Sequence, residues 1–148
     1  LAVIHLRVPG ALRYRDLAVR AVGAACKLVG AGEDGPRARG DRTFDHHVIS
    51  AFSEAFNNAA EHAYQDRPVG EVDIEMDIGP DEITIRVSDR GATYDPDAVP
   101  TPDLDALPES GLGLFIIRSF MDEVHYRPGQ NGAPNVLTMR KRLRNDDP

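Results

Sequence analysis

Residues 71–87 read EVDIEMDIGPDEITIRV, and this stretch decides the fold. Val72, Ile74, Met76 and Ile78 alternate with Glu71, Asp73, Glu75 and Asp77, the period of a strand with one buried and one wet face. Gly79, Pro80 and Asp81 supply turn chemistry, and Ile83, Ile85 and Val87 resume the alternation, so the segment predicts an antiparallel hairpin. Upstream, residues 45–64 carry Val48, Phe52, Ala55, Ala59 and Ala63 at helical spacing, with Ile49 and Phe56 on the adjoining row. Before a Gly-rich loop at 30–41, residues 12–29 predict another helix, with Leu12, Leu17, Val19, Val22, Ala25, Cys26 and Val29 as its apolar positions. Ile4, Leu6 and Val8 mark a first strand closed by Pro9 and Gly10. Downstream, residues 92–110 hold Pro96, Pro100, Pro102 and Pro108 among carboxylates, which denies them a long regular element and reads as a lid. A short apolar helix to about Met121 and strands at 124–126 and 136–143 complete the chain. The order predicts an α+β, two-layer sandwich: a mixed sheet with helices on one face.

The chain has 148 residues, one domain's worth, and is read as a single domain over 1–148. Its 17 basic and 24 acidic residues give a net charge of −7, without the basic footprint of a nucleic-acid binder. No apolar run reaches the roughly 20 residues of a membrane span, and no signal segment opens the chain. Cys26 is the only cysteine, which excludes a disulfide framework and fits a reducing, cytoplasmic setting. The chain opens on Leu1 rather than Met, as a fragment would.

Three constellations can carry chemistry. Glu54, Asn58 and His62 recur at i, i+4 and i+8 on the second predicted helix. A carboxylate there can take a proton and a carboxamide oxygen can bind Mg²⁺, but the spacing equally fits a polar stripe facing solvent. Asp89-x-Gly91 at the end of a strand can accept a purine amine beside an unobstructed backbone, or it can be an ordinary turn. Gly111-Leu112-Gly113 opens a helix whose free N–H groups suit phosphate, with Ser110 as a plain N-cap the simpler alternative. The pattern lacks both the third glycine of a dinucleotide fold and the Gly-Lys-Ser/Thr of a P-loop. His5, His46, His47 and His125 read as surface or satisfied core residues, and Arg140, Lys141, Arg142 and Arg144 as a solvated strand end.

Taken in this order, the three resemble the GHKL, or Bergerat-fold, ATPases, and among them the anti-sigma-factor serine/threonine kinases. Glu54-x-x-x-Asn58-Ala59-x-x-His62 resembles the N box, Asp89-x-Gly91 the first glycine box, and Gly111-Leu112-Gly113-Leu114 the second. Tyr94-Asp95-Pro96 and the run from Gly111 to Asp122 resemble the small-kinase subgroup. The resemblance implies ATP and Mg²⁺ as ligands. It makes Glu54 the general base, Asn58 the Mg²⁺ ligand, Asp89 the acceptor of the adenine amine and Gly91 the opening for the ring. Gly111, Leu112 and Gly113 would border the phosphates, and Thr138 would match a threonine beside the adenine. His62 would be structural or near the nucleotide, and Asn57 receives no role. Thr93 departs from the pattern, standing where the first box often has a second glycine. The implied partners are a sigma factor, an anti-sigma-factor antagonist carrying the acceptor hydroxyl, and a second copy in a homodimer, with no nucleic acid and no membrane. Two other readings are a nucleotide-gated binding module without kinase activity and the catalytic piece of a larger sensor kinase.

Overall fold

The computed structural model describes residues 2–31, 42–63, 68–93 and 112–144. Strand β1 (Ala2–Pro9) leads through one 3₁₀ turn (Leu12–Tyr14) into helix α1 (Arg15–Cys26). Helix α2 (Arg42–Asn57) runs on without a break into a π-helical stretch, Asn58–Ala63. The hairpin β2 (Glu71–Ile78) and β3 (Glu82–Asp89) follows. Helix α3 (Leu112–Phe120), β4 (Glu123–Arg127) and β5 (Asn135–Arg142) complete the described chain. Most of the stretch read as a lid lies outside the described residues, as does Gly111.

The sheet order is β1-β2-β3-β5-β4, and its four pairings are all antiparallel. The two-layer α+β architecture is as expected, but the sheet is not mixed in its hydrogen bonding. Two helices separate β1 from β2, so the chain returns antiparallel. Only α3 separates β3 from β4, so those strands run the same way, yet β5 lies between them and pairs antiparallel with both.

Register puts the apolar alternations on one face. Ile74, Met76 and Ile78 lie opposite Val87, Ile85 and Ile83, and Leu137 and Met139 extend the layer opposite Val87 and Ile85. All eight are at most 5% exposed. Phe44, Val48, Phe52 and Phe56 of α2, Val22 and Cys26 of α1, and Ile117 of α3 fill the layer above them. Full burial of each such large side chain is worth about 1.5–3 kcal/mol, so α2 anchors the domain. The expected α2 stripe is buried at Val48, Phe52, Ala55, Phe56 and Ala59. On α1 the buried positions are Ala18, Val22, Ala25 and Cys26, whereas Leu12 and Leu17, expected in the stripe, are exposed. Ile4 keeps the core-facing register of β1 opposite Met76 but remains 38% exposed, because β1 is an edge strand.

The other face of the sheet is wet and laced with ion pairs. Arg7 bonds Asp73 at 2.6 Å, Arg86 bonds Asp77 at 2.9 Å, and Arg140 bonds Glu123. Between the helices, a Lys27–Asp45 ion pair ties the end of α1 to the start of α2, with Asp45 buried. His47 stacks on Phe120 with ring centroids 4.5 Å apart, fastening α2 to α3.

Candidate functional site

Glu54 and Asn58 flank the point where α2 changes its hydrogen-bonding pattern. Glu54 lies in the last regular turn and Asn58 is the first π-helical residue. The wider i→i+5 pattern interrupts the straight ridge expected to continue to His62, whose side chain is outside the described residues. The neighbouring Asn57 accepts a hydrogen bond from Arg15 of α1 at 3.1 Å, giving it a partner across the helix pair.

Helix α3 packs beside this junction with a glycine at the contact. A Cβ built on Gly113 would lie 3.0 Å from Oε2 of Glu54 and 3.5 Å from Oδ1 of Asn58. Two side-chain oxygens, one from a carboxylate and one from a carboxamide, therefore converge on the first turn of α3. Leu112 is the first residue of that helix and is half-buried. The missing Cβ keeps the carboxylate and the helix backbone close without a clash. This donor set fits a hard divalent cation carried with phosphates. Mg²⁺ needs only one or two protein oxygens when substrate phosphates and water complete its shell. Among the described residues no group of three or more His, Cys, Asp or Glu forms a self-sufficient metal site.

Asp89 ends β3. Strand alternation carries it on from Ile83, Ile85 and Val87, so it lies on the helix side of the sheet, as Glu54, Asn58 and Gly113 do. Its Oδ1 accepts two hydrogen bonds, from the Gly91 N–H and from Nδ2 of Asn135, each at 2.9 Å. Burial pushes the Asp89 carboxyl above the usual carboxylate range, and the bonds from Asn135 and Gly91 oppose that rise. Gly91 is half-buried beside it, and its carbonyl accepts a second bond from Asn135 at 3.0 Å. Cavities of about 210 and 550 Å³ open on either side of this corner. Gly91, Thr93 and Asn135 help line the smaller, and Asp89, Arg90 and Pro134 the larger.

Thr138 is not part of this assembly. It sits opposite Arg86 on β3 and His125 on β4, on the wet face of the sheet. The residue of β5 that meets Asp89 is Asn135, its direct register partner, three positions earlier. The sequence reading missed it because pairing between β3 and β5 fixes the partner. The only local signal is an asparagine at a strand start after a Pro/Gly turn.

With this geometry in hand, comparison with known proteins assigns the class. The chain belongs to the histidine kinase-like ATPase domain family, whose model matches residues 17–141, a span that contains Glu54, Asn58, Asp89, Gly91, Gly113 and Asn135. It is similar to proteins named serine-protein kinase RsbW. One from Staphylococcus aureus is 31% identical over 97% of this chain and 91% of its own length. That of Oceanobacillus iheyensis is 39% identical over 50% of this chain and 52% of its own length. That of Bacillus subtilis is 36% identical, with 63% and 61% covered. The chain thus spans about half to nine-tenths of these relatives. Among the described residues no helix is long and apolar enough to cross a membrane.

Proposed function

We propose that this chain is an ATP- and Mg²⁺-dependent protein serine/threonine kinase that also restrains a sigma factor, its acceptor being a hydroxyl on an anti-sigma-factor antagonist. The observation that carries the reading is the convergence of Glu54 Oε2 and Asn58 Oδ1 on Gly113. The similarity to proteins named serine-protein kinases supports it.

The acceptor oxygen bonds to the γ-phosphorus while the bond from that phosphorus to the bridging oxygen breaks, releasing ADP. The hydroxyl proton passes to the Glu54 carboxylate. Asn58 would hold the Mg²⁺, which when bound offsets charge on the phosphates. Backbone N–H groups at the start of α3, which have no partner within the helix, would suit the phosphate oxygens. Asp89 accepts the adenine amine, and Gly91 leaves room for the ring. Positioning and electrostatics account for most of the acceleration in this class of reaction. A second copy is proposed to add to the exposed edge at β1, where Val3 is 60% exposed and Leu17 on α1 is 54% exposed.

The test is transfer of labelled γ-phosphate to candidate antagonist proteins by wild type and Glu54→Gln. The variant keeps size and removes the proton acceptor, so transfer should fall about 10²–10⁴-fold with little change in ATP affinity. Wild type that binds ATP and tightens on a sigma factor but phosphorylates nothing would replace this reading with a nucleotide-gated binder. The retained Glu54 speaks against that alternative, since a pure binder has no use for a base.

A further inference from the structure

We propose that Asn135 is a positioning residue that clamps one oxygen of Asp89 and so presents the other, Oδ2, to the ligand. The proposal rests on the adenine-reading role of Asp89 given above. It extends the site to a residue on a different strand and to the turn that precedes that strand.

Asn135 is 3% exposed and its side-chain hydrogen bonds reach three residues in two segments. Oδ1 accepts the Gly129 N–H at 2.7 Å. Nδ2 donates to Asp89 Oδ1 at 2.9 Å and to the Gly91 carbonyl at 3.0 Å. The amide can stand only one way round. Reversed, its oxygen would face a carboxylate and a carbonyl, and its NH₂ would face the Gly129 N–H. Gly129 reaches this position because it has no side chain: a Cβ there would lie 2.1 Å from the Ala133 carbonyl oxygen.

The consequence falls on Asp89. Gly91 N–H and Asn135 Nδ2 both load the same oxygen, which fixes the carboxylate plane and directs the second oxygen away from the clamp. A single amine on a purine edge needs one well-aimed acceptor, and a freely turning carboxylate would present either oxygen. Asn135 acts on the ligand through Asp89 and supplies no reacting group. Its bond to Oδ1, together with that from the Gly91 N–H, also offsets part of the cost of holding a buried charge at this position. Among the described residues, the charged groups that line the larger cavity with Asp89 are Arg90, Arg7 of β1, and Glu71 and Asp73 of β2; the test leaves all four intact.

The test compares wild type, Asn135→Ala, Asn135→Asp, Asp89→Ala and the Asp89→Ala/Asn135→Ala double variant. Two readouts are taken: the Asp89 carboxyl titration by carbon-13 NMR in the nucleotide-free protein, and ATP and GTP affinity by calorimetry. Asn135→Ala should move the Asp89 titration to higher pH and weaken ATP about 10-fold, the scale of one hydrogen bond to a charged acceptor. It should also narrow the preference for ATP over GTP. In the Asp89→Ala background the same substitution should cost no further affinity. Asn135→Asp keeps the shape, so it serves if the alanine variant fails to fold. It should bind ATP worse than Asn135→Ala at pH 8 and regain affinity toward pH 5, where a proton shared between the two carboxyls restores the donor. An unmoved Asp89 titration in a folded Asn135 variant, or additive losses in the double variant, would overturn the clamp. A shifted titration in a protein that binds no adenine nucleotide would support the clamp and overturn only the adenine reading.

Discussion

Replacing Gly113 with alanine puts one carbon into the space that defines the site. Its Cβ would stand 3.0 Å from Glu54 Oε2, where ordinary contact begins near 3.4 Å, while the 3.5 Å to Asn58 Oδ1 is already tolerable. The carboxylate must therefore yield by a few tenths of an ångström and Asn58 need not. Displacing Glu54 from its preferred side-chain angle costs about 0.5–1.5 kcal/mol. Alanine returns up to about 1 kcal/mol over glycine within a helix. The two nearly cancel, so the melting temperature should stay within a few degrees of wild type. Chemistry has no such compensation. A displacement of about 1 Å at a reacting group costs on the order of 100-fold, so a shift of a few tenths should lower phosphoryl transfer by roughly 10-fold. ATP affinity should change by less than about 3-fold, because residue 113 keeps its N–H and Asp89 is untouched. The measurements are thermal melts by circular dichroism, ATP titration calorimetry and labelled-phosphate transfer. In a Glu54→Gln background the alanine should cost no further rate. A rate unchanged from wild type, or a loss that persists undiminished in the Glu54→Gln background, would refute the argument that this glycine makes room for the base.

Asp89→Ala should weaken ATP by roughly 10- to 150-fold in calorimetry, the range for losing a hydrogen bond to a charged acceptor. Asp89→Asn should lose ATP as well, yet melt higher than wild type at pH 7. The native carboxyl titrates above its unfolded value because of burial, so between the two the native state binds more protons and stability falls as pH rises through that window. The melting difference should accordingly shrink as the pH is lowered toward 4. Asp45→Ala leaves Lys27 without its buried partner and should cost about 2–4 kcal/mol in urea unfolding, toward the low side of values for buried pairs because Lys27 is 37% exposed. A loss under 0.5 kcal/mol would mean that the pair does not hold α1 to α2.

How far the sequence could be read depended on whether a feature is local. Residues 71–87 declared their strands because alternation over eight residues has one physical solution when one face is wet. The α2 stripe was legible for the same reason, at helical period. Leu17 was misplaced because an exposed leucine on a helix carries only a modest penalty, so its apolarity does not determine its direction. The all-antiparallel pairing follows from β5 inserting between β3 and β4, a choice made across the whole sheet that no single segment signals. Asn135 went unread for the same reason at the scale of a residue: the partner of Asp89 is set by register between distant strands. The turn from α-helical to π-helical bonding at Asn58 also left no trace in composition, and the Lys27–Asp45 pair joins residues separated by a loop.

The insertion of β5 between β3 and β4 bears on how the molecule comes into being. Glu54, Asn58, Asp89 and Gly113 all precede β5 in the chain, so every group proposed to touch nucleotide is synthesised before the strand that completes the setting of Asp89. Until that strand slots in, β3 has an open edge and Asp89 lacks the Asn135 amide. The corner at Asp89 is thereby tied to β5: a chain in which that strand has not paired cannot present it finished, and a nucleotide bound there would favour molecules in which the sheet has closed.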